Sequence, residues 1–170
     1  TMKQLTLLIS LVILISCGLN AQTNKRTSAY MYLQNGQLDK AKESIDEAIL
    51  HEKTSVDAKT WLYRGEIYYQ LATGNLPMYN NLADNAANIA YEALLNAKKY
   101  DEKGKYKDEI STYLNYLVQV FYMEGGTSFQ EHNYDEAIDD FKKAFEISKT
   151  NGVIDTVAAF NIGMAGVLSE

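Results

Sequence analysis

Small and apolar residues recur along this chain in steps of four and then three, with polar residues between them. The pattern appears at Ala41, Ile45 and Ala48, again at Ala86, Ala90 and Ala93, and a third time at Ala137, Phe141 and Ala144. On an α-helix that spacing stacks the three side chains in one stripe, and small side chains there let a neighbouring helix come close. One such stripe would be unremarked in any alanine-bearing amphipathic helix. A second set of small residues removes the coincidence: Ala29 stands twelve positions before Ala41, and Gly125 twelve before Ala137, each inside a preceding helical pattern. Trp61, Gly65 and Tyr68 add an aromatic, a small residue and an aromatic on one helical face. The reading is a series of paired helices that cross at alanine and glycine.

Breaks fall between the stripes. Gly36-Gln37-Leu38-Asp39 is predicted as a turn between helices, because glycine enters positive φ at little cost. The stretch from Ala72 to Asn81 gathers Gly74, Asn75, Pro77, Asn80 and Asn81 and is predicted as an ordered loop. Gly104 marks another break, after which Tyr106 onward reads as one helix running towards Gln130. The last stretch, residues 157–168, is apolar nearly all round, whereas the outermost helix of a stack is expected to be polar outside. Either further helices follow residue 170, which the half-repeat form of the stretch favours, or this end meets another copy of the chain.

These residues resemble the tetratricopeptide repeat, a helix–turn–helix unit of 34 residues. Ala29, Tyr32, Gly36, Ala41, Ile45 and Ala48 fall on its positions, then Trp61, Gly65, Tyr68, Ala86, Ala90 and Ala93, then Gly125, Tyr134, Ala137, Phe141 and Ala144, with Ile162-Gly163 opening a fourth unit. The resemblance implies an all-α fold, a right-handed solenoid of antiparallel helix pairs with about three and a half units, at residues 22–55, 58–100, 106–150 and, in part, 155–170. Departures from the family are Lys25 at its Trp position, Lys53 at its terminal Pro position, and separations of 45 and 51 residues between Ala41, Ala86 and Ala137.

The first 21 residues have a different character. Met2 is read as the translation start, leaving Thr1 aside; Lys3 is followed by an apolar run from Leu5 to Ile15 and a small-residue end, the form of a bacterial secretion signal. The run is shorter than the roughly 20 residues of a spanning helix. Leu14-Ile15-Ser16-Cys17 fits a lipobox with lipidation at Cys17, and Leu19-Asn20-Ala21 fits an ordinary cleavage site. The early onset of the helical pattern favours cleavage after Ala21. The exported chain, periplasmic or extracellular and membrane-anchored only in the lipoprotein case, would then hold no cysteine for a disulfide.

The chain has 16 basic and 22 acidic residues and a net charge of −6; without Lys3 the balance is −7. Basic residues alternate with acids, as in Asp39-Lys40-Ala41-Lys42-Glu43, so no basic stripe exists to release counterions from a nucleic acid. Catalytic constellations are equally thin. His51 and His132 are the only imidazoles and fall near helix ends, and no phosphate loop, His-Glu-x-x-His, nucleophile elbow or EF-hand loop occurs. No cofactor or metal is implied, and the chain is read as a non-enzyme.

The 13 tyrosines suit a binding surface, since each offers apolar area with a polar tip. In the resembled family the first helix of each pair lines a concave groove. That implies groove positions at Arg26, Tyr30, Leu33 and Gln34, at Lys59, Leu62, Glu66 and Tyr69, at Tyr122, Phe129 and Gln130, and at Phe160. The Lys, Asn and Arg set with which some members clamp a terminal carboxylate has no counterpart, its positions holding Arg26, Tyr30, Tyr63, Gln119 and Met123. The expectation is a scaffold that captures a protein or peptide segment outside the cytoplasm. The competing reading is a carbohydrate-capture or envelope-assembly lipoprotein component, for which Trp61 would be the one indole able to stack on a sugar.

Overall fold

Two aspartates start helices in the same way. The Asp57 carboxylate accepts the backbone N–H of Lys59 at 2.8 Å and the Asp155 carboxylate that of Ala158 at 3.0 Å, satisfying amides that have no partner within the helix. The computed structural model describes residues 25–74, 77–79 and 81–169. The leader, Cys17, Ala21 and, within the predicted loop, Asn75, Leu76 and Asn80 lie outside the described residues.

The described residues form seven α-helices: α1 (residues 25–34), α2 (Leu38–Ala48), α3 (Ala58–Thr73), α4 (Ala86–Tyr100), α5 (Lys107–Gln130), α6 (Tyr134–Thr150) and α7 (Thr156–Leu168), with one 3-10 turn at Pro77–Tyr79. Helices pack mostly on their sequence neighbours. The closest pairings are α3 with α4 and α5 with α6, followed by α6 with α7; α3 also touches α5 across the intervening hairpin. The arrangement is all-α and consistent with stacked helix pairs. Among the described residues no helix is long and apolar enough to cross a membrane.

The turns joining α1 to α2 and α5 to α6 share one backbone form. Gly36 sits at φ 68° and His132 at φ 65°. In each, the next residue's N–H reaches back five positions, Gln37 to the Tyr32 carbonyl at 2.9 Å and Asn133 to the Ser128 carbonyl at 2.8 Å, which closes the orphan carbonyls at the helix end. Left-handed backbone costs a non-glycine residue about 1–2 kcal/mol; His132 sits there with its Nδ1 2.8 Å from the Tyr134 hydroxyl.

Crossing points fall on the small residues. A Cβ at Gly65 would lie 2.7 Å from the Leu94 side chain and 3.5 Å from the Ala90 carbonyl oxygen, and one at Gly125 would lie 3.0 Å from the Phe141 ring and 3.2 Å from Asp140 Cβ. Ala41, Ile45, Ala48, Ala90, Ala93, Ala137 and Ala144 are wholly buried. Three apolar clusters follow. The first joins α1, α2 and α3 through Ala29, Leu33, Ile45 and Ile67. The central one joins α3, α4 and α5 around Leu62, Leu94 and Phe121, and the last holds Ala137, Phe141 and Ala165 between α6 and α7.

Candidate functional site

The first helices of successive pairs, α1, α3, α5 and α7, contact one another through aromatic side chains. At the α1–α3 contact Tyr30 stacks on Tyr63 with ring centroids 4.7 Å apart and planes 19° from parallel. Lys59 places its ammonium 5.2 Å above the same Tyr63 ring, and Arg26 pairs with Asp57. The Arg26 pair ties α1 to the residue that caps α3.

At the α3–α5 contact, Tyr69, Tyr113 and Tyr116 form a mutually packed trio with centroids 5.7 to 6.0 Å apart. Beside it the Glu66 carboxylate lies next to the Tyr113 hydroxyl. Glu66 is 9% exposed; its burial pushes the carboxyl up from its ordinary value, and neighbouring Glu109 adds to this, while the Tyr113 hydrogen bond acts in the other direction. Burial, then the Glu66 hydrogen bond, raises the Tyr113 phenol, so it remains a neutral donor. The rings of this belt are engaged with one another across the helix contacts.

The α5–α7 contact is different. Tyr122 donates to Asp155 Oδ1 at 2.6 Å, and Ser148 donates to Asp155 Oδ2 at 3.1 Å, so one carboxylate joins α5, α6 and the start of α7. Burial alone would raise the Asp155 carboxyl; the Ala158 amide, the Tyr122 and Ser148 hydroxyls and the Val157 amide outweigh it and hold the group below its ordinary value. Next to this junction lies an open cleft of about 360 Å³ lined by Tyr122, Gly126, Phe129, Gln130, Phe141, Phe160, Asn161 and Met164. Phe129 is braced edge-on by Tyr134 at 5.4 Å, and Phe160 is 66% exposed.

The structure thus brings Tyr122, Phe129, Gln130 and Phe160 together around one cleft, and places Arg26, Tyr30, Lys59, Glu66 and Tyr69 along the belt. Gln34 is exposed on α1. Leu33 and Leu62 require correction as groove residues. They are 3% and 1% exposed, because each points between helices into an apolar cluster. Trp61 is also engaged, its indole N–H donating to the Ser55 carbonyl at 2.6 Å and its ring lying under Arg64 at 5.9 Å. Tyr113 and Tyr116 lie outside the groove positions that the resemblance implies, although their separation of three on the helix from Tyr106 places them on one face. Met164 and Asn161 were missed because the groove assignment stopped at Phe160.

A larger depression of about 620 Å³ opens between α4, α5 and α6 and is lined by Glu124, Glu136, Asp139 and Asp140 with Asn85 and Asn88. Lys143 pairs with Asp139 and with Asp140 there. Burial, followed by the charge of Asp140, raises the Glu124 carboxyl. Among the described residues no group of three histidine, cysteine or acidic side chains is placed to hold a metal ion. No protein-family model matches the chain, and no curated protein matches it in sequence.

Proposed function

We propose that this chain is a non-catalytic interaction scaffold, built as a tetratricopeptide-like solenoid, that seats an apolar segment of another polypeptide in the cleft between α5 and α7. The cleft carries the reading. It combines three phenylalanines and a methionine with two amide side chains, Gln130 and Asn161, able to exchange hydrogen bonds with a guest's main chain. The solenoid reading is supported by the shared turn at Gly36 and His132 and by the glycine crossings at Gly65 and Gly125, which occupy corresponding places in their helix pairs. The leader-like sequence supports a location outside the cytoplasm. Carbohydrate capture finds less support, because Trp61 is hydrogen-bonded and covered by Arg64.

A phage-displayed peptide library panned on the chain tests this. Enrichment of sequences with aromatic or branched apolar anchors is expected, and Gly126→Leu, which fills the cleft where a Cβ meets nothing within 4 Å, should abolish it. Enrichment that survives Gly126→Leu with helicity unchanged would refute the site.

A further inference from the structure

The lysines of this acidic chain are unevenly placed in space. Residues 98–107 depart from the alternation of charges elsewhere: Lys98, Lys99, Lys103, Lys105 and Lys107 stand among two acids, with Tyr100 and Tyr106 between them. All five lysines are exposed, and they surround the turn from α4 to α5. Successive helices pack on one another through short connections and so alternate in direction, which brings this turn to the same end of the fold as the turns from α2 to α3 and from α6 to α7. Two clefts join the three turns. One of about 430 Å³ has Lys53, Val56, Tyr100, Lys103, Lys105 and Tyr106 among its lining, and one of about 320 Å³ connects Lys98, Gly104 and Lys107 to Thr150 and Asn151. The turns of the opposite end, residues 35–37, 74–85 and 131–133, hold no lysine or arginine.

Apolar side chains project from the same end. Leu50 and Val56 on the α2–α3 turn are 82% and 56% exposed, and Val153 and Ile154 on the α6–α7 turn 57% and 80%. Among the described residues of the opposite turns, Met78 alone is comparable. Ile154 precedes the capping Asp155, a place from which an apolar residue can fold back onto its helix, but its exposure shows that it points away. The charge here is modest. Asp57 is paired with Arg26, and Asp101 is bound to the Lys105 and Tyr106 amides at 2.9 and 2.7 Å, while Glu52, Glu102, Asp108 and Glu109 remain exposed nearby. Attraction and apolar insertion must therefore act together. A nucleic acid would pair with the lysines and leave Leu50 and Ile154 in water. A protein partner would have to match apolar tips on either side of a charged one, whereas a bilayer offers anionic headgroups with apolar chains beneath them at every point. We propose that this end of the fold docks on an anionic lipid bilayer, its lysines at headgroup phosphates and Leu50 and Ile154 entering the headgroup boundary. The peptide cleft stays free in this orientation, since none of its lining belongs to these turns.

Vesicle flotation of the full chain carrying Cys17→Ser, which removes its one cysteine and any acyl group there, tests the docking. Phosphatidylglycerol vesicles should bind it more tightly than phosphatidylcholine vesicles, and added salt should weaken the difference by screening the lysines. Lys103→Glu/Lys105→Glu and, separately, Leu50→Ser/Ile154→Ser should each lower binding to phosphatidylglycerol about tenfold with helicity unchanged. In the same background a polarity-sensitive dye on Leu50→Cys should shift to the blue on these vesicles, and the same dye on Glu131→Cys, at the opposite end, should not. Gly126→Leu should float as the parent does, which separates this surface from peptide capture. An unmoved dye at Leu50→Cys overturns the proposal, as does flotation indifferent to either double variant. Heparin binding without vesicle binding also overturns it, assigning the lysines to a soluble polyanion.

Discussion

The tyrosine belt across α1, α3 and α5 and the cleft between α5 and α7 are built from the same kind of residue and do opposite things. In the belt, Tyr69, Tyr113 and Tyr116 have ring centroids within 6.0 Å of one another, and Glu66 is buried beside Tyr113. In the cleft, Tyr122 spends its hydroxyl on Asp155, while Phe129, Phe141 and Phe160 surround about 360 Å³ of open space. The difference lies in the adjoining helix. Tyr113 and Tyr116 of α5 pack against Tyr69 of α3, whereas α7 offers Asn161 and Met164 beside a single phenylalanine. Aromatic content alone therefore does not distinguish an adhesive contact from a receptive one.

Substitutions at paired glycines should separate the two regions most sharply. Gly65→Leu forces four carbons into the α3–α4 crossing, where Leu94 is already 2.7 Å from a Cβ, and should cost about 3 kcal/mol in urea denaturation. Gly126→Leu points into the cleft and replaces a helical glycine, so it should leave stability unchanged or raise it by up to about 1 kcal/mol while abolishing peptide capture. A large loss of stability in Gly126→Leu would mean that the cleft is not open.

Next in size, Tyr113→Ala should destabilise the fold by about 2 kcal/mol, through the ring contacts with Tyr69 and Tyr116 that are lost. The cap variant Asp155→Ala should cost about 1 kcal/mol by thermal melting, and its effect should concentrate in faster amide exchange along α7.

Acid should act on the two regions with opposite sign. The Glu66 carboxyl is raised in the folded chain, so its burial penalty applies above that raised value, is relieved as pH falls through it, and is gone below the ordinary glutamate value. Glu66→Gln should therefore stabilise the chain at neutral pH and lose that advantage on acidification. The Asp155 carboxyl is lowered, so its contribution is complete above the ordinary aspartate value and drains away as pH falls further through the folded one. Denaturation midpoints of the two variants between neutral pH and pH 3 would show these opposite trends or contradict them. Smallest of all, Phe160→Ala should change stability by no more than about 0.5 kcal/mol, since the ring is 66% exposed, while weakening capture clearly.

Much of the helical organisation was legible from spacing. Steps of four and three at Ala41, Ala86 and Ala137 marked the buried stripes, and Gly65 and Gly125 marked the close crossings, because only small side chains fit where backbones approach. The site was legible only in part. Leu33 and Leu62 share the general direction of Tyr30 and Glu66 on a helical wheel, but a rotation of a few tens of degrees decides between a groove and a core. That rotation is set by neighbouring helices, which no single segment encodes. Tyr113 and Tyr116 escaped for a related reason: their role depends on α3, more than 40 residues earlier in the chain. The exposed apolar side chains of α7 were legible because uniform apolarity needs no partner to be noticed.

The loop between α3 and α4 carries a further consequence. Tyr79, in the 3-10 turn, donates its hydroxyl to the Gly36 carbonyl at 2.9 Å, bridging 43 positions to the turn between α1 and α2. Tyr79 thus straps the connection between α3 and α4 to the first hairpin. Shortening it would withdraw a tie on the first hairpin, and a protease cut beside Tyr79 should free α1 and α2 to fray while the later helices hold.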